Sequence, residues 1–208
     1  DFSGVDFAGF ALAGRSFRKC SFKGLDLTRA DFSGSELFGS DFSDCDLSDA
    51  RFVRCDLRQA NLQKARARKA DFSEIDGKAA FFGEADLAGA KLTSAKLRYA
   101  TFSDAEATVA NLSGSDLRET IWVGANAPKA NLRGARMNYA DLSKANLEAA
   151  DLTQVDLSFA NLHALRDAGA VYAGAALGGA RRTDQERLEA DGWRPPGGLR
   201  PGASGART

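Results

Sequence analysis

Carboxylates crowd this sequence of 208 residues, 28 Asp and Glu against 28 Lys and Arg. Runs such as Asp41, Asp44, Asp46 and Asp49 have the look of the carboxylate pairs that general acid–base chemistry requires. His163 is the single histidine. Cys20, Cys45 and Cys55 are the only thiols, an odd count without a CxxC pair, which argues against a disulfide framework and suits a reducing cytoplasm. None of these groups assembles into a reactive constellation. Fourteen aspartates share one position of a short repeat, which makes them scaffold residues. His163 falls on an outward position of that repeat and reads as a surface residue. The cysteines occupy one inward column but different faces, so they read as small buried side chains and not as a metal cluster. P-loop, nucleophile-elbow and zinc-protease motifs are missing. The expectation is a non-enzyme with no catalytic residue, metal or cofactor.

The element that positions all of these residues is a five-residue beat. Stepping by five from Phe2 to Leu162, 29 of 33 centres are Leu, Phe, Met or Trp; the exceptions are Ala67, Gly77, Ala107 and Ala127. Two residues before each centre, 28 of 32 positions hold Ala, Ser, Cys, Thr or Val, and the residue between the columns is Asp or Asn in 20 of 33 cases. A helix would repeat its apolar residues every three or four positions and a strand every two. Small–polar–large is in–out–in, a short extended stretch, and the two polar or glycine residues that follow turn a corner. Successive pentads therefore wind into coils. Stacking the coils through parallel backbone hydrogen bonds satisfies their amides and gives a solenoid with an apolar interior. The period alone leaves the number of sides per coil open.

Ala30-Asp31-Phe32, Ala60-Asn61-Leu62, Ala110-Asn111-Leu112 and Ala140-Asp141-Leu142 match A(D/N)Lxx, and in this the chain resembles the pentapeptide-repeat family. The resemblance implies an all-β fold, a right-handed quadrilateral parallel β-helix with twenty residues per coil. About eight coils would then form residues 1–165. Phe22, Phe42, Phe82 and Phe102 fall on one interior wall and Phe32, Phe52 and Phe72 on the opposite one, a segregation that agrees with twenty. Around Ala67, the basic residues Arg66, Arg68 and Lys69 read as solvated side chains on a poorly filled coil.

The beat falters at Asp167 and resumes faintly at Tyr172 and Leu177. A degenerate final coil and a short capping helix are expected over residues 166–193. Thr183 and Glu186 form a capping box, Asp184–Asp191 the helix, and Leu188 and Trp193 its apolar contacts with the last coil. Residues 194–208 are Pro/Gly-rich and read as a disordered tail. Met137 is the only methionine and the repeat is already in phase at Asp1. Both features suggest a trimmed chain or part of a longer polypeptide.

The balanced charge and the lack of a long apolar run argue against a nucleic-acid or membrane partner. Two surface features stand out. Arg18, Phe38, Arg58, Lys78, Arg98 and Arg118 form a basic column, joined by Tyr99, Tyr139 and Phe159 in the column beside it. Glu36, Asp56, Asp76 and Asp116 run alongside and compensate its charge. The second feature is Phe81, Ile121 and Val123, apolar where the repeat expects polar residues. The first functional reading is therefore a bacterial, cytoplasmic protein-interaction or scaffold module with a partner of unknown identity. Some pentapeptide-repeat proteins mimic DNA, bind gyrase or topoisomerase IV, and dimerise through a C-terminal helix. The resemblance thus implies a second reading, protection against quinolones or topoisomerase toxins, with Asp41, Asp44, Asp46 and Asp49 as the acidic patch and a homodimer formed at the C-terminal end.

Overall fold

The computed structural model describes Phe7 and residues 11–183, and the pentads account for its whole architecture. Every residue before a centre pairs in parallel with the residue twenty positions on, from Ser16 with Glu36 to Asp156 with Ala176. A coil thus closes after twenty residues and has four walls, one centre to each. The last pairing lengthens into two short strands, β1 (Asn161–Leu162) and β2 (Arg181–Arg182), in register Asn161 with Arg181. Among the described residues no helix forms.

The repeat is explained by where its five amides go. Taking the pentad centred on Phe42, the Asp41 amide donates to the coil before (Cys20 carbonyl, 2.9 Å) and the Phe42 amide to the coil after (Asn61 carbonyl, 2.7 Å). The Asp44 amide also reaches the next coil (Gln63 carbonyl, 3.1 Å), and the Cys45 amide closes the corner on the Phe42 carbonyl at 3.2 Å. Only the Ser43 amide has no backbone acceptor, and the side chain of Asp41 takes it at 2.9 Å. The same bond recurs at Asp31, Asp71, Asp141 and Asp151, and with Asn at Asn61, Asn111, Asn131 and Asn146. Asp or Asn recurs before the centre because a short side chain with an acceptor oxygen completes the amide accounting, which Glu106 also does for the Thr108 amide at 3.0 Å.

Each corner places its third residue at positive φ, the sign pattern of a type II turn. Glycine occupies some of these positions, but Asp44, Tyr99, Tyr139 and Phe159 do so as well, and even β-branched Val109 has φ of 52°. The left-handed conformation costs on the order of 1 kcal/mol or more for such residues. The two hydrogen bonds that each corner makes hold it there.

Inside, the walls stack as the twenty-residue period requires. The rings of Phe22 and Phe42 lie 4.7 Å apart and 4° from parallel, and those of Phe52 and Phe72 are 5.0 Å apart. Phe42 meets Phe52 of the opposite wall edge-on, at 5.5 Å and 87°. Higher up, Phe82, Phe102 and Trp122 form one stack, at 4.9 and 4.2 Å. The indole nitrogen of Trp122 donates to the Thr120 hydroxyl at 3.0 Å, so the widest residue of the core leaves no polar atom unpaired. In the small inward column, hydroxyls and thiols donate to the centre carbonyl of the coil before: Ser35 to Leu12 at 2.7 Å, Cys45 to Phe22 and Cys55 to Phe32 at 2.9 Å. Burial pushes the Cys45 thiol up to about 11 and the Cys55 thiol to about 12. Both are inert, neutral donors.

Ala67, Ala107 and Ala127 are fully buried, so those walls remain closed. At Gly77 the space of the missing side chain is taken by Leu97, the next centre of the same column, and by Ile75 from outside it. A Cβ there would lie 2.9 Å from Leu97 Cδ2 and 3.2 Å from Ile75 Cδ1. Ile75, large where the repeat expects a small residue, fills the gap.

The coiled path continues beyond residue 165 to Arg182. Asp167 stands where a centre would be; Tyr172 donates its hydroxyl to it at 2.6 Å, and Arg182 lies 5.8 Å over the Tyr172 ring. Burial, then the carboxylate, pushes the Tyr172 hydroxyl above its ordinary range. Thr183 does not serve a helix within the described residues; its hydroxyl accepts the Ala164 amide at 2.8 Å, in place of a carbonyl of a further coil. The expected helix, with Glu186, Leu188 and Trp193, and the Pro/Gly-rich tail lie outside the described residues. His163 corrects the sequence reading: it is 2% exposed, not a surface residue. Ser43 and Ser143, in the same column directly after the centres, are buried too, whereas Lys23 and Gln63 in it are exposed.

Candidate interaction surface

Four walls present four outward faces, and the sequence features sort onto them by column. Arg18, Phe38, Arg58, Lys78, Arg98 and Arg118 stack along one face as expected. The charges of the arginines are consumed locally, while Lys78 forms no ion pair among the described residues. Arg58 and Arg118 each clamp the aspartate two residues before them, Asp56 and Asp116, at 2.7 and 2.6 Å. Arg136 joins Asp116 at 3.0 Å, and Arg98 pairs with Glu119. Hydrogen bonds from Arg58 and Arg118 hold the Asp56 and Asp116 carboxyls below the usual carboxylate range. Aromatics thread the column, with Arg18 5.2 Å over Phe38 and Arg98 4.7 Å over Tyr99. The result is a neutral lattice and no phosphate-binding strip.

The acidic candidates are similarly engaged. Asp41 and Asp46 lie on adjoining faces and hold their own turns; Asp46 also pairs with Arg66 at 3.0 Å. Asp44 approaches Lys23 at 3.8 Å, and Asp49 is exposed at the next corner. Carboxamides separate some of the stacked carboxylates: Asn61 donates to Asp41 at 3.1 Å and Asn161 to Asp141 at 2.9 Å. Near Ala67, Arg66 and Arg68 pair with Asp46 and Asp86. Among the described residues no group of His, Cys, Asp and Glu could hold a metal ion.

Other carboxyls depressed below their ordinary value are those of Asp26, Asp31, Asp46 and Asp151, each chiefly through a hydrogen bond from the Ser or Thr two residues on. A depressed folded value means that the stabilisation is complete above the unfolded value, near 4, and is lost as pH falls through the folded one. Thermal melts should therefore give a level Tm from about pH 8 to about pH 5 and a steep fall below about pH 4. A decline already under way at pH 6 would contradict this account.

Coiling brings the two apolar features together. Tyr99, Tyr139 and Phe159 sit on the corner residue of the basic face, and Phe81 and Ile121 sit two positions round that corner, past one buried small residue. Phe81 pairs with Thr101 and Thr101 with Ile121, so Phe81 and Ile121 are two coils apart in one column. The Tyr139 and Phe159 rings stack at 5.1 Å, and Phe159 overhangs Gly179 in the last coil. Exposure is 52% for Phe81, 41% for Tyr99, 42% for Ile121, 58% for Tyr139 and 55% for Phe159. Val123 is half-buried beside Ile121. From Asn61 to Val123 the adjoining face carries no charged residue in its two outward columns, which read Asn61, Gln63, Phe81, Gly83, Thr101, Ser103, Ile121 and Val123. Sequence reading missed this convergence, although the signal was present: positions 99 and 101 are only two apart and straddle a corner.

A tube closed every twenty residues, with one apolar wall per pentad, defines a repeat solenoid of the β-helix class. A model of the pentapeptide repeat region matches residues 25–102 and 45–122, and a model of pentapeptide repeats in eight copies matches residues 1–37, 110–148 and 130–164. The chain belongs to the pentapeptide-repeat family. It is similar to the solved structure of QnrB1, a plasmid-mediated fluoroquinolone resistance protein, at 21% identity over 89% of this chain and 91% of that one, with a TM-score of 0.52. That likeness shows the fold. HetL, a pentapeptide repeat protein involved in heterocyst differentiation regulation from the cyanobacterium Nostoc sp. strain PCC 7120, is 27% identical over 86% of this chain and 94% of that one, with a TM-score of 0.46. No curated protein matches the chain in sequence.

Proposed function

We propose that the chain is a non-enzymatic protein-interaction module of the bacterial cytoplasm. It presents the corner formed by Phe81, Tyr99, Ile121, Tyr139 and Phe159 to a protein partner. Right-handed winding and about eight coils belong to the same reading and rest on the family resemblance. The observation that carries the proposal is the exposure of those five large apolar side chains, 41–58%, along one corner of a surface otherwise neutralised by ion pairs. A frame tied by backbone hydrogen bonds between successive coils loses little entropy on binding, so a modest apolar patch is effective. DNA mimicry is the weaker reading. It needs dense, uncompensated negative charge, whereas Asp44, Asp46, Asp56 and Asp116 are all paired with Lys or Arg.

Ile121→Asp with Tyr139→Asp tests the proposal. Asp is the commonest residue at the position of Ile121, and Asp44 already occupies the corner position of Tyr139 at positive φ. The double variant should fold with an unchanged Tm and lose its partner, binding about 30-fold or more weakly, as for truncated hot-spot residues. Affinity purification from the native host, quantified for both proteins, is the measurement. Retention of the same partner by the variant would overturn the reading, and inhibition of gyrase supercoiling by the purified protein would favour mimicry instead.

A further inference from the structure

We infer that the apolar corner receives a single amphipathic α-helix of the partner, about 13 residues long and parallel to the solenoid axis; this rests on the interaction reading above. Three observations carry it. The first is backbone accounting. Within each pentad four amides are taken by neighbouring coils or by the corner, and the fifth by an Asp or Asn where one precedes the centre. Beside Phe81, Thr101 and Ile121 the amides of Gly83, Ser103 and Val123 take no acceptor among the described residues. They come singly, one per coil, and not as the alternating N–H and C=O row of a strand edge. The side wall therefore has no free edge to which a strand could add. A segment lying on it must satisfy its own hydrogen bonds, as an α-helix does.

The second is spacing. Phe81, Tyr99, Ile121, Tyr139 and Phe159 come at nearly one per coil, so at about 4.8 Å per coil they span about 19 Å. A helix rises 1.5 Å per residue and 5.4 Å per turn, so about 13 residues cover that length, with one apolar side chain per turn in near register. An extended segment, repeating its side chains every ~6.6 Å on one face, falls out of step. The exposed parts of five such side chains amount to roughly 500 Å². That is short of the roughly 800 Å² each partner gives to a stable globular interface, and argues against a second copy of this chain as the occupant.

The third is charge. On the basic side of the corner, Lys78 lies 5.7 Å from the Tyr99 ring; neither it nor Lys96, further out on that face, is ion-paired among the described residues. On the other side stand Glu84 and Asp104, of which Glu84 meets Lys64 at 3.8 Å. The helix that fits has an apolar stripe, acidic residues toward Lys78 and Lys96, and basic residues toward Glu84 and Asp104.

Selection from a displayed library of random 20-residue peptides against the whole chain tests this, with the Ile121→Asp/Tyr139→Asp protein as counter-target. Enriched peptides should show apolar residues at i, i+3 or i+4, i+7 and i+11, with acids on one flank. The synthesised winner should gain helicity in far-UV circular dichroism on binding. It should bind the double variant about 30-fold more weakly, and Lys78→Glu several-fold more weakly. Winners that are extended or proline-rich, winners that bind the double variant equally well, or no enrichment would each overturn the helix. Sedimentation of the chain alone supplies the remaining arm: self-association abolished by the double substitution would overturn the helix yet leave the interaction corner standing. Native-partner binding that ignores the double substitution would instead remove the corner itself.

Discussion

Phe42→Ala should lower the unfolding free energy by about 3–5 kcal/mol, the range for a large aromatic removed from a packed core. Phe42 stacks on Phe22 at 4.7 Å and meets Phe32 and Phe52 edge-on at 5.6 and 5.5 Å, so the substitution removes ring contacts in two coils and on two walls. The site cannot collapse onto the cavity. Backbone hydrogen bonds of 2.7–3.2 Å from each of its neighbours fix the distance between coils. Phe42→Leu should cost only about 1 kcal/mol, because Leu62 and Leu142 already occupy the same wall, fully buried. Thermal and denaturant unfolding of the three proteins measures both values. A loss under about 1 kcal/mol for the alanine variant would mean that the interior is far looser than stacked rings imply.

Gly77→Leu, which restores the repeat, should nonetheless destabilise by about 1–3 kcal/mol or more through overpacking. The first added atom would already lie 2.9 Å from Leu97 and 3.2 Å from Ile75. Ile75→Ala alone should cost about 2–5 kcal/mol through the cavity it leaves. Combined, the two changes recreate the small–polar–large pattern of the neighbouring pentads, and the double variant should be more stable than either single one. A double-mutant cycle reads the coupling directly. Additive losses would show that Ile75 does not fill the space left at position 77.

The fold was legible because each pentad repeats one solution to one local problem. In–out–in alternation placed Phe22 over Phe42, and their near-parallel rings bear this out. Walls could be drawn once the in–out–in order of the pentad was joined to the twenty-residue coil that the family resemblance implies, since a side chain's direction follows from its place in the pentad. What escaped the sequence depends on side chains whose reach the period does not set. His163 occupies an outward position and is nevertheless buried. Ile75 breaks the small column, and the space it fills shows only with Gly77 placed beside it. The compensation of the basic column was legible, because Glu36, Asp56, Asp76 and Asp116 run beside it. The pairing of Arg98 with Glu119 was not, since it joins residues 21 positions apart across a corner. The convergence of Tyr99, Tyr139 and Phe159 with Phe81 and Ile121 was missed for a related reason. A column lies within one face, and a corner belongs to two faces at once.

The closure of each coil after twenty residues has a consequence for how such a chain can change length. A duplication or deletion of four pentads slides one end of the rod along its axis and leaves every face in alignment. A duplication or deletion of one pentad keeps the interior equally apolar, yet rotates everything beyond it by a quarter turn. Inserted between Ile121 and Tyr139, such a unit would preserve folding while carrying Tyr139 and Phe159 onto a neighbouring corner. Genetic drift in repeat number can thus redraw the outer surface of this protein without disturbing its core.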